Sequence, residues 1–117
     1  MTGYEPNAGD LIWMDFDPTL GREQGGRRPA LVLSAVAFYR ASRFVIVCPI
    51  TSRVRGFRTS VVLPEGLPIE GEVLTSHVLS IDTQARPIRY AAAAVPATVL
   101  AEARAKLTAL IGVDVRP

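Results

Sequence analysis

The sequence has 117 residues, 49% of them hydrophobic, and a formal net charge of +2. That suffices for one core in a single domain over residues 1–117, and it excludes a disordered chain. No run approaches the roughly 20 apolar residues of a membrane helix, so no membrane partner is expected. The opening MTGYEPNAGD has neither a basic n-region nor an apolar h-region, so no secretory signal is read there. Cys48 is the single cysteine. It excludes an internal disulfide, fits a reducing cytoplasmic location, and reads as a small core residue.

The charge is lopsided in kind. Lys and Arg number 13, and Lys106 is the only lysine. GC-rich coding explains such a total but not the clustering. Arg22, Arg27 and Arg28 form one group; Arg53, Arg55 and Arg58 form another. Guanidinium forks suit bidentate phosphate recognition, so two basic loops on a near-neutral domain point to a locally gripped polyanion.

In chain order, residues 1–8 read as an irregular lead-in and residues 10–17 as a first strand. Asp17-Pro18-Thr19-Leu20-Gly21 is turn chemistry. The polar loop that follows, residues 21–28, holds three glycines, three arginines and Glu23. Pro29 stiffens its last arginine and opens a second, almost wholly apolar strand at 29–35. Residues 37–42 read as a short helical turn. A third strand spans 44–50, with Pro49 marking an edge or bulge.

The second basic loop, 51–58, leads to a fourth strand at 59–63. Residues 64–71 read as an exposed connection rich in Pro, Gly and Glu. A fifth strand spans 72–75, with Ser76 and His77 at its end. Ser80-Ile81-Asp82 reads as the start of a turn, and 88–95 as the last strand, despite its alanine run. Pro96 opens a helix whose apolar face is Val99, Leu100, Ala103, Leu107, Leu110 and Ile111, with Gly112 at the stop position. The fold class is therefore mainly β with a C-terminal α-helix, arranged as a small bent sheet or partly closed barrel.

No phosphate-loop, dinucleotide or metal-ligand spacing is present, so neither cofactor nor metal is expected. The chemistry-bearing residues are Glu23, Arg27, Arg28, Thr51, Ser52, Arg53, Ser76 and His77, all at strand ends or in loops. Each has a bland alternative: Glu23 neutralising its arginines, Thr51-Ser52 as turn hydroxyls, His77 as a satisfied half-buried histidine. Asp10, Asp15 and Asp17 suit capping and turns better than a metal.

As a set, these residues match cleavage of RNA by its own 2′-hydroxyl. That reaction needs a base, cations for the extra-negative phosphorane, and a donor to the leaving 5′-oxygen. Arg27 and Arg28 can supply charge, Glu23 can be base or orienter, and Thr51 or Ser52 can donate. Neighbouring arginines lower the pKa of Glu23, which weakens it as a base. His77 is the residue whose ordinary pKa already suits proton transfer.

At this point a family is legible. GDLIWMDFDPTLGREQGGRRPALVLS (residues 9–34) resembles the opening of the MazF/PemK (Kid-like) toxins of bacterial toxin–antitoxin pairs. CPITSRVRGFRTSVVL is similar to that family's third and fourth strands, and GEVLTSHVLSIDTQAR to its fifth-strand region. The C-terminal helix ending near LIG also fits. The resemblance implies an SH3-like small barrel of the CcdB/MazF type, acting as a homodimer. It implies a sequence-specific, metal-independent endoribonuclease (an mRNA interferase) that cuts single-stranded RNA to 2′,3′-cyclic phosphate and 5′-hydroxyl ends. A cognate acidic antitoxin is implied as its inhibitor.

By motif, Arg28, Thr51 and Glu23 carry over as catalytic. Arg22, Gln24, Arg27, Ser52, Arg53, Arg55, Phe57, Ser76 and His77 are candidates for holding substrate. Many relatives have an acidic residue and Gln where Ser76 and His77 stand, which leaves the base and the cut sequence open. The alternative is a CcdB-like gyrase poison or an inactive binding relative on the same fold.

Overall fold

The computed structural model describes residues 3–16 and 26–112. Among the described residues, seven strands run β1 Asp10–Phe16, β2 Gly26–Val32, β3 Phe44–Thr51, β4 Ser60–Val62, β5 Glu72–Leu74, β6 Leu79–Asp82 and β7 Ile88–Ala94. The same residues form the helices α1 Val36–Ser42 and α2 Ala97–Ile111 and a 3₁₀ turn at Thr75–His77. The strands form one 7-stranded sheet in the order β4-β5-β3-β2-β1-β7, with β6 added on β3. All pairings are antiparallel, and the sheet is open, with β4 and β7 as its ends.

β3 is the hub. One edge pairs with β2 at Val47, Cys48 and Pro49. The other edge pairs with β6 up to Val47 and with β5 from Ile50 onward. Pro49, which lacks a ladder donor, falls in the gap between these two outer partners.

Period-two alternation buries both faces of β3. Ile46, Cys48 and Ile50 join a cluster with Leu11, Leu31, Val61 and Val73, while Val45 and Val47 join Ile12, Met14, Ala30, Val32 and Ile81. α2 covers the first cluster through buried Ala103 and half-buried Val99, Leu100 and Leu107. Two side chains bind α2 to the sheet: the Arg104 guanidinium donates to the Leu33 carbonyl at 2.7 Å and Lys106 Nζ to the Ser60 carbonyl at 2.6 Å. Among the described residues, no helix is long and apolar enough to cross a membrane.

The lead-in is fixed rather than loose. Asp10 Oδ2 accepts from the Tyr4 hydroxyl at 2.8 Å and the Asn7 N–H at 3.0 Å, a capping role. Tyr4 stacks on Tyr90 with centroids 4.7 Å apart. Asn7 Oδ1 accepts the first N–H of α1, from Val36, at 3.0 Å.

Three expectations are corrected. Residues 80–82 do not begin a turn; they lie in β6, paired with the first half of β3. The second strand begins at Gly26 rather than at residue 29, because Arg27 and Arg28 pair in register with Asp15 and Met14 of β1. Leu110 and Ile111 are 43% and 65% exposed instead of buried, since α2 packs on the core through Val99, Leu100, Ala103 and Leu107 and neither of its last two apolar residues joins that cluster.

Candidate functional site

The antiparallel register Ala30↔Pro49, Leu31↔Cys48, Val32↔Val47 sets the geometry. Continued two residues, it places Arg28 opposite Thr51. Alternation puts Arg28 on the face of Ala30 and Val32, and Thr51 on the face of Val47 and Pro49. That face is apolar in mid-sheet and turns polar where β2 and β3 leave the core.

A groove of about 910 Å³ opens there. Met14, Pro49, Ile50 and Leu79 give it an apolar floor, beside Trp13. Arg28, Thr51, Ser52, Glu70, His77 and Arg86 supply its polar groups. A smaller pocket of about 320 Å³ shares Thr51, Leu74 and His77 with the groove and adds Arg53, Arg55 and Phe57. The two cavities are thus lined by Arg28, Arg53, Arg55 and Arg86 and, among the described residues, by one carboxylate, Glu70. The balance favours a polyanion.

Local hydrogen bonds position the key side chains. Thr51 Oγ1 accepts the Arg53 N–H at 3.2 Å, which turns the chain at the end of β3 and leaves the hydroxyl proton available to donate. Thr75 is buried, and its hydroxyl donates to the Thr59 carbonyl. That bond anchors the 3₁₀ turn, on which His77 borders both cavities.

The candidates therefore separate. Arg28, Thr51, Ser52 and His77 meet in the groove, with Arg53, Arg55 and Phe57 in the adjoining pocket. Ser76 is exposed on the same turn but lines neither cavity. Arg27 lies on the opposite face of β2, across from Asp15, and does not line the groove. Arg22, Glu23 and Gln24 lie outside the described residues.

Glu70 and Arg86 went unrecognised as groove residues. In the structure Ile69, only 3% exposed, pins the 64–71 connection to the core and so sets its neighbour Glu70 at the groove. Arg86 is held by the turn after β6, where its N–H donates to the Asp82 carbonyl at 2.8 Å. Glu72 was also missed; it has no exposed surface and sits beneath the second basic loop.

A family model described as PemK-like, MazF-like toxin of type II toxin–antitoxin systems matches residues 7–111. The endoribonuclease toxin MazF of Escherichia coli (strain K12) is 39% identical over 109 residues, covering 93% of this chain and 96% of that protein. The endoribonuclease PemK of Escherichia coli is 32% identical over 108 residues, covering 88% of this chain and 80% of that protein. Among solved structures, MazE–MazF (Form-II) from Deinococcus radiodurans superposes with a TM-score of 0.87 at 46% identity, over 95% of this chain and 99% of that one.

Proposed function

We propose that the groove binds single-stranded RNA and cuts it at Arg28 and Thr51, on a plain premise: the chain belongs to the PemK-like, MazF-like toxin family of type II toxin–antitoxin systems. It is a toxin endoribonuclease. The observation that carries the assignment is one groove lined by both Arg28 and Thr51, at the polar end of an otherwise apolar face.

The substrate's 2′-oxygen attacks the adjacent phosphorus, and the bond from phosphorus to the 5′-oxygen breaks. A base takes the 2′-hydroxyl proton, and the departing 5′-oxygen gains one. The products are a 2′,3′-cyclic phosphate and a 5′-hydroxyl. Arg28 neutralises the phosphorane, whose charge exceeds that of the ground state, so its contribution falls on the transition state. Thr51 donates a hydrogen bond to the same centre. His77, bordering both cavities, moves a proton; Glu23 is the second candidate for that role. The guanidinium groups supply the positive charge, so the reaction runs without a metal.

A cognate acidic antitoxin with an extended segment is the natural inhibitor of so arginine-lined a groove, and one solved relative is a MazE–MazF complex. The active form is a homodimer working in the cytoplasm, where its RNA substrate is. The RNA sequence cut is set by the pocket contacts.

The test is cleavage of a single-stranded RNA in chelator, with product ends read by mass spectrometry. Arg28→Ala lowers kcat by roughly 10²–10³, the cost of losing one preorganised charge-stabilising group, while its circular dichroism matches wild type. His77→Gln alters the pH–rate profile; an unchanged profile removes His77 from proton transfer. Wild-type protein that leaves the RNA intact overturns the assignment, and accumulation of cleaved gyrase–DNA complexes would replace it with a gyrase poison.

A further inference from the structure

Glu72 lines neither cavity, yet its carboxylate accepts three consecutive backbone N–H groups. Oε1 accepts from Arg55 at 3.0 Å, and Oε2 accepts from Gly56 at 2.9 Å and Phe57 at 3.1 Å. Successive amides turned onto one anion form a nest, and Gly56, at φ 72°, provides the left-handed step that such curvature requires. The side chain has no exposed surface, so its charge is satisfied almost entirely by this loop.

The position matters as much as the bonds. In the sheet, Glu72 pairs with Thr51 on one side and Val62 on the other. The link between β3 and β4 therefore folds back over a residue directly beside Thr51. The preceding residue tightens the fit: a Cβ at Gly71 would lie 2.1 Å from the Thr51 carbonyl oxygen. Outward from the nest, Arg55 and Phe57 line the smaller pocket with Thr51 and His77. Phe57 is 54% exposed, a large apolar surface on an arginine-rich loop, as a base-stacking platform would be.

We propose that Glu72 is a positioning residue: filling its own loop's nest, it holds Phe57 and Arg55 against the nucleotide next to the phosphate at Arg28 and Thr51. The proposal rests on RNA being the substrate. Glu72 touches no substrate atom; it acts through the loop. In Glu72→Gln, an amide nitrogen replaces one acceptor oxygen, so at least one N–H of the nest meets a donor and the loop loosens.

The experiment compares full-length wild type, Glu72→Gln and Phe57→Ala on a single-stranded RNA extending several nucleotides either side of the cut, and on a dinucleotide spanning only the cut bond. In Glu72→Gln, KM for the long RNA rises roughly tenfold, the scale of one lost stacking contact, and kcat falls by a smaller factor. The loss is severalfold smaller on the dinucleotide, and discrimination at the neighbouring nucleotide relaxes. Phe57→Ala, with its nest intact, reproduces the KM effect, and it decides alone should Glu72→Gln fail to fold. A folded Glu72→Gln that cuts long RNA with wild-type KM and wild-type sequence preference overturns the proposal, as does a Phe57→Ala that does so. Wild-type protein that cuts no RNA overturns the underlying function before either variant is compared.

Discussion

Cys48 has no exposed surface, and burial pushes its thiol up to about 12. In the unfolded chain it titrates near 8.5. A folded-state pKa raised in this way gives stability that is whole below about pH 8.5 and declines as pH climbs toward the folded value. The native protein is therefore expected to resist a thiol reagent at pH 8, and Cys48→Ala should show a shallower alkaline loss of stability in denaturant titrations. Rapid labelling of the folded protein would contradict this. Its burial was legible from the apolar run around it. Arg28 and Thr51 were legible too, because their motif is local. Glu72 was not: a carboxylate in GEVL reads as the outward position of a half-buried strand, and its donors come from residues 55–57, far back along the chain. Glu70 was hidden differently, since a Pro- and Gly-rich connection gives no sign of the face on which it packs.

Among the elements, β7 shows packing overriding local preference. Its alanine run favours helix, yet Ile88, Arg89 and Tyr90 pair with β1 and hold the segment extended. The register shifts between Asp10 and Ile12, and Ala92, at φ 60°, lies in the stretch of β7 facing that irregularity. A left-handed alanine costs about 1–2 kcal/mol, and glycine's added chain entropy returns roughly half of that. Ala92→Gly should therefore stabilise by roughly 0.5–1 kcal/mol and Ala92→Val should destabilise, as urea unfolding would register. Equal midpoints for all three proteins would count against a strained bulge. β6 escaped prediction for a related reason: Ile81 is its one buried side chain, and its existence depends on the free edge of β3, a partner more than thirty residues away in sequence. The early start of β2 was obscured because Arg27 and Arg28 extend the strand beyond the core, where polarity imitates a loop.

For the molecule as a whole, a net charge of +2 understates what RNA meets, because Arg28, Arg53, Arg55 and Arg86 gather around two adjoining cavities. RNA affinity should fall steeply with salt, and Arg53→Ala should reduce the slope of log K against log salt by about 0.7, the single-strand value for one released counterion. An unaltered slope would place Arg53 off the RNA path. The groove draws on Trp13, Arg28, Thr51, Glu70, His77 and Arg86, residues spread over most of the chain. The outer edge of β1 finds its partner later still, in β7. Synthesis proceeds from the N-terminus, so a nascent chain carries Arg28, Arg53 and Arg55 well before it possesses a complete groove, and it exposes an open strand edge in the meantime. A fragment that stops before Arg86 lacks one groove arginine and the whole of β7, so the cavity and the outer edge of β1 are completed together, late in the chain.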